Sequence, residues 1–165
     1  MLLNVALHGL EEAAGVRYAF PGTGSGETKP KSPVVIRYAD DLVALCYSRE
    51  QAEQITVQLA QWLAPRGLVF NEDKTRIVHL GEQGFDFLGF NVRRYGSKLL
   101  IKPSKTAIMR LRQRLALEMR MLRGSNAAAV IARLNPIIKG WAAYYRGVVS
   151  SKVFHTLDYQ MWKLT

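Results

Sequence analysis

Cysteine is nearly absent. The single Cys46 in 165 residues excludes an internal disulfide framework and any cysteine-rich zinc site. Cys46 falls in a strand-like run and is expected to fill core space. Histidine is scarce as well. His8, His79 and His155 lie far apart without ligand spacing, and are expected to be structural or surface residues. Long apolar runs are missing: a run such as 42–47 falls well short of the ~20 residues that span a bilayer. The opening segment MLLNVALHGLEE has no basic region and turns acidic at once, so no signal peptide is expected. These absences point to an intracellular protein of a reducing compartment, with no membrane partner. Wholesale disorder is excluded too, because 48% of residues are hydrophobic and 22% charged, ordinary values for a folded chain.

Acidic residues run out after residue 100. Residues 1–100 hold 11 basic and 11 acidic side chains. Residues 101–165 hold 12 basic and only two acidic ones, Glu118 and Asp158. The whole net charge of +10 therefore lies in the last 65 residues. Such asymmetry fits a polyanion partner, nucleic acid above all, and it also fits a solvated basic helical face.

Hydrophobic periodicity divides the chain in the same place. Residues 2–13 suit a short helix ending near Gly15. Residues 20–33 concentrate Gly, Pro, Ser and Thr and read as a loop. Residues 34–47, VVIRYADDLVALCY, read as a hairpin turning at Ala39-Asp40-Asp41. Ser48 opens an S-x-x-Q capping box, and Ala52, Ile55, Leu59, Trp62 and Leu63 form one helical face. Pro65 and Gly67 stop that helix. Residues 75–80 alternate like a strand. Residues 85–92 and 98–102 suggest another hairpin, turning at 95–97. After Pro103 the period becomes helical. Ser104 is placed to cap a helix to about Arg123, with Ile108, Leu111, Leu115, Met119 and Leu122 inward. Gly124 ends it, and Ser125 or Asn126 caps the next. Proline breaks helix interiors but suits a first turn, so Asn135 is expected to cap a separate helix from Pro136 to Arg146. Ser150 or Ser151 caps a last helix to Leu164. The expected fold is α+β, with residues 1–103 carrying an antiparallel sheet with packed helices and residues 104–165 an all-helical bundle.

Asp40 and Asp41 carry the sharpest chemical signal. Adjacent carboxylates repel unless a cation lies between them. At a strand tip they suit Mg²⁺, which takes oxygen ligands and keeps several waters. Two such ions can activate an attacking hydroxyl and stabilise a leaving oxygen. The bland alternative is a polar turn, where aspartate bonds its own backbone.

The sequence around the pair resembles a known family. Tyr38-Ala39-Asp40-Asp41, flanked by Val34-Val35-Ile36-Arg37 and Leu42-Val43-Ala44-Leu45, resembles the catalytic hairpin of reverse transcriptases, most of all those encoded by group II introns. Four more segments resemble the family in its own order. LLNVALHGL at 2–10 is similar to a palm helix, and GLVFNEDKTR at 67–76 to the motif after the catalytic hairpin. FDFLGF at 85–90 is similar to the primer-grip hairpin. LNPIIKGWAAYYRG at 134–147, with Phe154 and Trp162 beyond, resembles the maturase-specific thumb.

The resemblance implies the second half of a polymerase palm over residues 1–103 and a thumb, or X domain, over 104–165. It implies two Mg²⁺ ions, with Asp40 as principal and Asp41 as secondary ligand, and Tyr38 beside the primer end. Lys74 would serve as general acid or charge stabiliser, or simply be a solvated turn lysine. Phe87, Leu88 and Gly89 would form the primer grip. Lys102, Lys105, Arg110, Arg112, Arg114, Arg120, Arg123, Lys139, Arg146 and Lys152 are candidate phosphate contacts, positioning RNA rather than reading it. Trp141 and Tyr145 are expected in the core, while Tyr144, off the apolar face, is open between core and base stacking. The implied partners are intron RNA and an RNA template–DNA primer duplex, and the implied location is a ribonucleoprotein in a bacterial-type cytoplasm. The family's third aspartate belongs to an earlier strand that would precede Met1, and the contexts of Asp73 and Asp86 match later motifs. The expectation is therefore a C-terminal part of a longer enzyme. It would not polymerise DNA alone and would need its N-terminal half, which could be supplied in trans. The alternative is a free-standing RNA-binding splicing cofactor.

Overall fold

A computed structural model describes residues 2–19 and 27–164. Most of the glycine-rich stretch expected to be a loop, residues 20–26, lies outside the described residues. The rest is mixed helix and strand, with two separate antiparallel sheets, as the α+β reading requires. The chain divides into two compact units, Met1–Ile77 and Val78–Thr165.

The first unit is built around the helix α3. Two short helices precede it, α1 (Leu2–Ala6) and α2 (Leu10–Ala13). They replace the single helix expected over 2–13, because Gly9 enters the left-handed region at φ 83°, which glycine adopts freely. The strands β1 (Val34–Tyr38) and β2 (Asp41–Leu45) form the expected hairpin, paired from Val34↔Leu45 to Tyr38↔Asp41. Helix α3 (Arg49–Leu63) starts at Ser48, whose Oγ accepts the Gln51 N–H at 3.2 Å. Gln51 Oε1 reaches back to accept the Tyr47 N–H at 2.8 Å, a capping box displaced by one residue. Its Ile55, Leu59 and Leu63 are buried. Leu10, Ala14, Ile55 and Leu59 make the core, with Val35, Leu42, Ala44, Cys46, Trp62 and Phe70 packed on it. Cys46 thus fills space as expected, and burial pushes its thiol pKa up. A 3₁₀ turn over Ala64–Arg66 and Gly67 at φ 66° end the helix, where Pro65 and Gly67 were expected to stop it.

Residues 75–80 do not form the expected strand. Alternation builds a strand only where a neighbour supplies a run of ladder hydrogen bonds. Among the described residues no ladder forms here, only a single bond at its end from the Arg94 N–H to the Leu80 carbonyl at 2.9 Å. Ile77 is accordingly exposed.

The second unit opens with a three-stranded sheet in the order β3 (Phe85–Phe87), β4 (Phe90–Tyr95), β5 (Lys98–Pro103). Residues 85–92 are therefore not one strand. They turn sharply at Leu88-Gly89, so that Phe87 pairs with Phe90. Helix α4 (Lys105–Met121) follows, capped by Ser104 Oγ on the Ala107 N–H at 3.1 Å. Asn126, rather than Ser125, caps α5 (Ala127–Tyr145). Helix α6 runs over Ser151–Leu164.

Pro136 lies inside α5, so the expected break at Asn135 is corrected to one helix of 19 residues. Val130, Leu134, Ile137, Ile138, Trp141 and Tyr145 keep an unbroken spacing of three and four. Burying that stripe outweighs one missing hydrogen bond. Leu111, Leu115, Leu134 and Leu157 form the core of the three helices, with Ile108, Met119, Val130, Ile137, Ile138, Trp141 and Val153 against it. The change of period at Pro103 is not the border between compact units, because the sheet β3–β5 belongs with the helices. Its Gly89 carbonyl accepts the Ser104 N–H at 2.8 Å, and its Ile101 carbonyl accepts the Val149 N–H at 3.0 Å.

Candidate polymerase and nucleic-acid-binding sites

In the first unit the hairpin register decides what its tip presents. Val35, Leu42 and Ala44 pack on the core, so their register partners face the same way. Tyr38 and Asp41, paired with each other, occupy the opposite face. Asp40 completes the two-residue turn. Tyr38 is 65% exposed, and both aspartates are exposed. The structure thus brings Tyr38, Asp40 and Asp41 together at one open tip. Ala39, the first turn residue, has φ 54°, a conformation that costs a residue with a side chain about 1–2 kcal/mol. The strain sits beside the carboxylates, and positive φ is what two-residue hairpin turns demand.

Arg37, on the adjoining strand, forms no ion pair with either carboxylate. Arg37 Nη1 donates to Asn4 Oδ1 at 3.0 Å and to the Ala39 carbonyl at 3.3 Å. Both aspartates therefore keep open oxygen donors, the ligand type that Mg²⁺ takes from a protein, with water and phosphate oxygens completing its shell. Among the described residues no group of three or more His, Cys, Asp or Glu converges on a metal position. What the tip presents is two exposed carboxylates.

Lys74 lies in a turn of its own, 33 residues beyond Asp41 in sequence. Its N–H bonds the Asn71 carbonyl at 3.1 Å and Asn71 Oδ1 at 3.2 Å. This turn leaves the lysine exposed.

In the second unit the Leu88-Gly89 turn is the most heavily constrained point. Both residues have positive φ, 49° and 82°, as a tight hairpin turn requires. The Tyr144 hydroxyl donates to the Leu88 carbonyl at 3.0 Å, and the Tyr145 hydroxyl to the Gly89 carbonyl at 3.1 Å. Phe90 stacks on Tyr144 and meets Tyr145 edge-on, both at 5.0 Å between ring centroids. Trp141 extends the cluster to Phe154. Tyr145 is buried at 4% exposure, and Tyr144 is 54% exposed. Burial, then its neighbour Tyr144, raises the Tyr145 pKa, so its hydroxyl is a donor at neutral pH. The core reading of Tyr145 agrees with the structure. Tyr144 proves to be neither core nor free. Periodicity places the hairpin turn of this region at 95–97 and misses the one at Leu88-Gly89, which only the family resemblance of residues 85–90 suggests. The tyrosine contacts are not legible in the sequence, since 56 residues separate the partners.

The basic residues surround α4 rather than sharing one face. At 100° per residue, Arg110 and Arg114 flank the buried stripe on one side. Lys105 and Arg112 flank it on the other, Arg120 points outward, and Arg123 lies in the turn that follows α4. All six are exposed. Lys139, Arg146 and Lys152 are exposed on α5 and the start of α6. Lys102 is half-buried with Nζ 4.9 Å from the Tyr95 ring centroid. Arg133 is committed elsewhere, donating from Nε and Nη2 to both oxygens of the buried Glu118 at 2.7 and 3.1 Å. One of the two acidic side chains of this region is thereby neutralised.

Sequence comparison decides the family. A family model described as reverse transcriptase (RNA-dependent DNA polymerase) matches residues 2–92, more than half of the chain. A second, described as the group II intron maturase-specific domain, matches residues 108–165. This chain belongs to the group II intron reverse transcriptase–maturase family. A search of curated proteins finds no match. The reverse transcriptase match contains the Tyr38–Asp41 hairpin, Lys74 and the Leu88-Gly89 turn, and the maturase match contains most of α4 with all of α5 and α6. Reverse transcriptases generally use Mg²⁺, and the two regions together imply binding of intron RNA and of template–primer in general terms. No helix among the described residues is long and apolar enough to cross a membrane.

Proposed function

We propose that this chain is the RNA-binding and metal-ligating part of a group II intron reverse transcriptase, supporting splicing and retrohoming. The observation that carries this reading is the open tip of the first unit, with two uncompensated aspartates beside a tyrosine. Asp40 and Asp41 would hold Mg²⁺, which when bound supplies charge neutralisation for nucleotidyl transfer. Tyr38 would line the primer end, Lys74 would face the leaving phosphates, and Phe87, Leu88 and Gly89 would grip the primer. The exposed cations of α4 to α6 would hold phosphates. With two carboxylates and no third convergent ligand among the described residues, holding two ions for polymerisation would take a further carboxylate. The exposed cations of α4 to α6 and the maturase-specific match also fit a second reading, a splicing cofactor that binds RNA without polymerising. We also propose a cytoplasmic ribonucleoprotein as its setting.

The test is intron RNA binding against salt. If about six cations neutralise phosphates, log K falls with log salt at a slope of about −4. Two charge-neutralised variants probe α4 and the turn that follows it: Arg110→Gln with Arg114→Gln, and Lys105→Gln with Arg112→Gln and Arg123→Gln. The second is expected to flatten the slope by about 2 if all three touch phosphates. A flat wild-type slope would overturn the RNA reading. Adding the family's N-terminal half then separates the two functions. Primer extension abolished by Asp40→Asn identifies the polymerase, and splicing rescue without extension identifies the cofactor.

A further inference from the structure

The Leu88-Gly89 turn spends its hydrogen-bond acceptors inside the protein. The Leu88 carbonyl takes the Tyr144 hydroxyl, and the Gly89 carbonyl takes both the Tyr145 hydroxyl and the Ser104 N–H. The N–H groups of the same two residues donate to nothing among the described residues. A turn so arranged has its acceptors engaged and its donors unpaired, which favours an anionic oxygen over a cation or a neutral donor. The conformation is also one the chain resists. Leu88 carries a side chain at φ 49°, and such strain persists only where surroundings over-determine it.

The surroundings here are two adjacent side chains of one helix. Tyr144 and Tyr145 lie at the end of α5, and their rings meet edge-on at 4.8 Å. Phe90, directly after the turn, is held by both. Neither hydroxyl is needed to bury these rings. Tyr144 is half in solvent, where its hydroxyl would be satisfied by water, yet it reaches the turn.

The geometry points to Tyr144 and Tyr145 as positioning residues: their hydroxyls lock the Leu88-Gly89 turn so that its free N–H pair meets a phosphodiester of a bound RNA–DNA hybrid. This rests on the reading of the turn as a primer grip and deepens it. The tyrosines touch no nucleic acid in this role and act through the turn.

The test uses the full chain, ¹⁵N-labelled, titrated with a short RNA template annealed to a DNA primer. In the wild type, the Gly89 and Leu88 amide signals shift with the hybrid. Tyr144→Phe keeps the ring stacked on Phe90 and deletes one hydroxyl. It is expected to leave the melting temperature unchanged, to shrink the Gly89 shift and to weaken hybrid binding about three- to tenfold, the value of one hydrogen bond. Signals on α4 should still respond as in the wild type. Tyr145→Phe should act in the same direction, and if its burial makes it unstable, Tyr144→Phe decides alone. Unchanged affinity in Tyr144→Phe overturns the proposal, as does a Gly89 amide that ignores a hybrid to which α4 responds. If the hybrid moves no signal at all, the nucleic-acid reading fails and takes this inference with it.

Discussion

Gly89 has two reasons to lack a side chain, and Gly96 has one. Both hold positive φ, 82° and 59°. A Cβ on Gly96 would meet nothing within 4 Å, whereas one on Gly89 would lie 2.5 Å from the Tyr145 hydroxyl oxygen. Gly96→Ala should therefore cost only the left-handed backbone term, about 1–2 kcal/mol. Gly89→Ala adds overpacking against a buried phenol, typically about 1–3 kcal/mol more. Urea unfolding of both variants measures the difference. Adding Tyr145→Phe should recover part of the Gly89→Ala loss and almost none of the Gly96→Ala loss, because coupling needs contact. Equal costs at the two glycines would show that the tyrosine does not press on the turn. The sequence reveals such local needs unevenly. Ser48, Ser104 and Asn126 are legible as caps because each partner lies three residues on. The second constraint on Gly89 is invisible there, since its cause lies 56 residues away.

Helix α5 shows how an element outvotes one of its residues. Pro136 offers no N–H for the fourth hydrogen bond back, and its ring crowds the preceding turn, a penalty of about 3 kcal/mol in a helix interior. The expected break at Asn135 follows from that rule applied locally. What overrides it is the stripe from Val130 to Tyr145, which reaches the core only if the helix continues. Pro136→Ala should stabilise the second unit, by up to about 3 kcal/mol less roughly 1 for the freer unfolded chain. Thermal unfolding checks the sign, and a destabilised variant would mean that the proline's local geometry sets the course of α5. The absent strand at 75–80 has the same logic in reverse. Alternation was present, but a strand also needs a neighbour, and no pattern within six residues can report one. The catalytic-type hairpin was legible because its two strands are consecutive and bring their own partner.

For the molecule as a whole, the charge is lopsided, and one of the two acidic side chains of the basic region, Glu118, is committed to a single ion pair. Glu118 is buried on α4 and gripped by Arg133 of α5 through both carboxylate oxygens. Charge separation was legible from composition, but this pairing was not, because 15 residues and a helix turn lie between the partners. The hydrogen bonds from Arg133, helped by its charge and that of Arg114, hold the Glu118 pKa below its ordinary value against the opposing effect of burial. Arg133 is raised by the same bond and stays charged throughout. A carboxylate depressed on folding stabilises the native state above its unfolded pKa, and that stabilisation disappears as pH falls through the folded value. Glu118→Gln keeps the shape and removes the charge. The gap in stability between wild type and variant should therefore be full at neutral pH and begin to close below about pH 4.3, the ordinary glutamate value. Because Arg133 is largely exposed, salt should narrow the gap at neutral pH. Unfolding curves of both proteins from pH 7 to pH 2 read this directly. A gap that persists undiminished at pH 2 would show that its source is not the titration of the Glu118 carboxylate, and no gap at pH 7 would mean that the charge on Glu118 contributes nothing to joining α4 and α5.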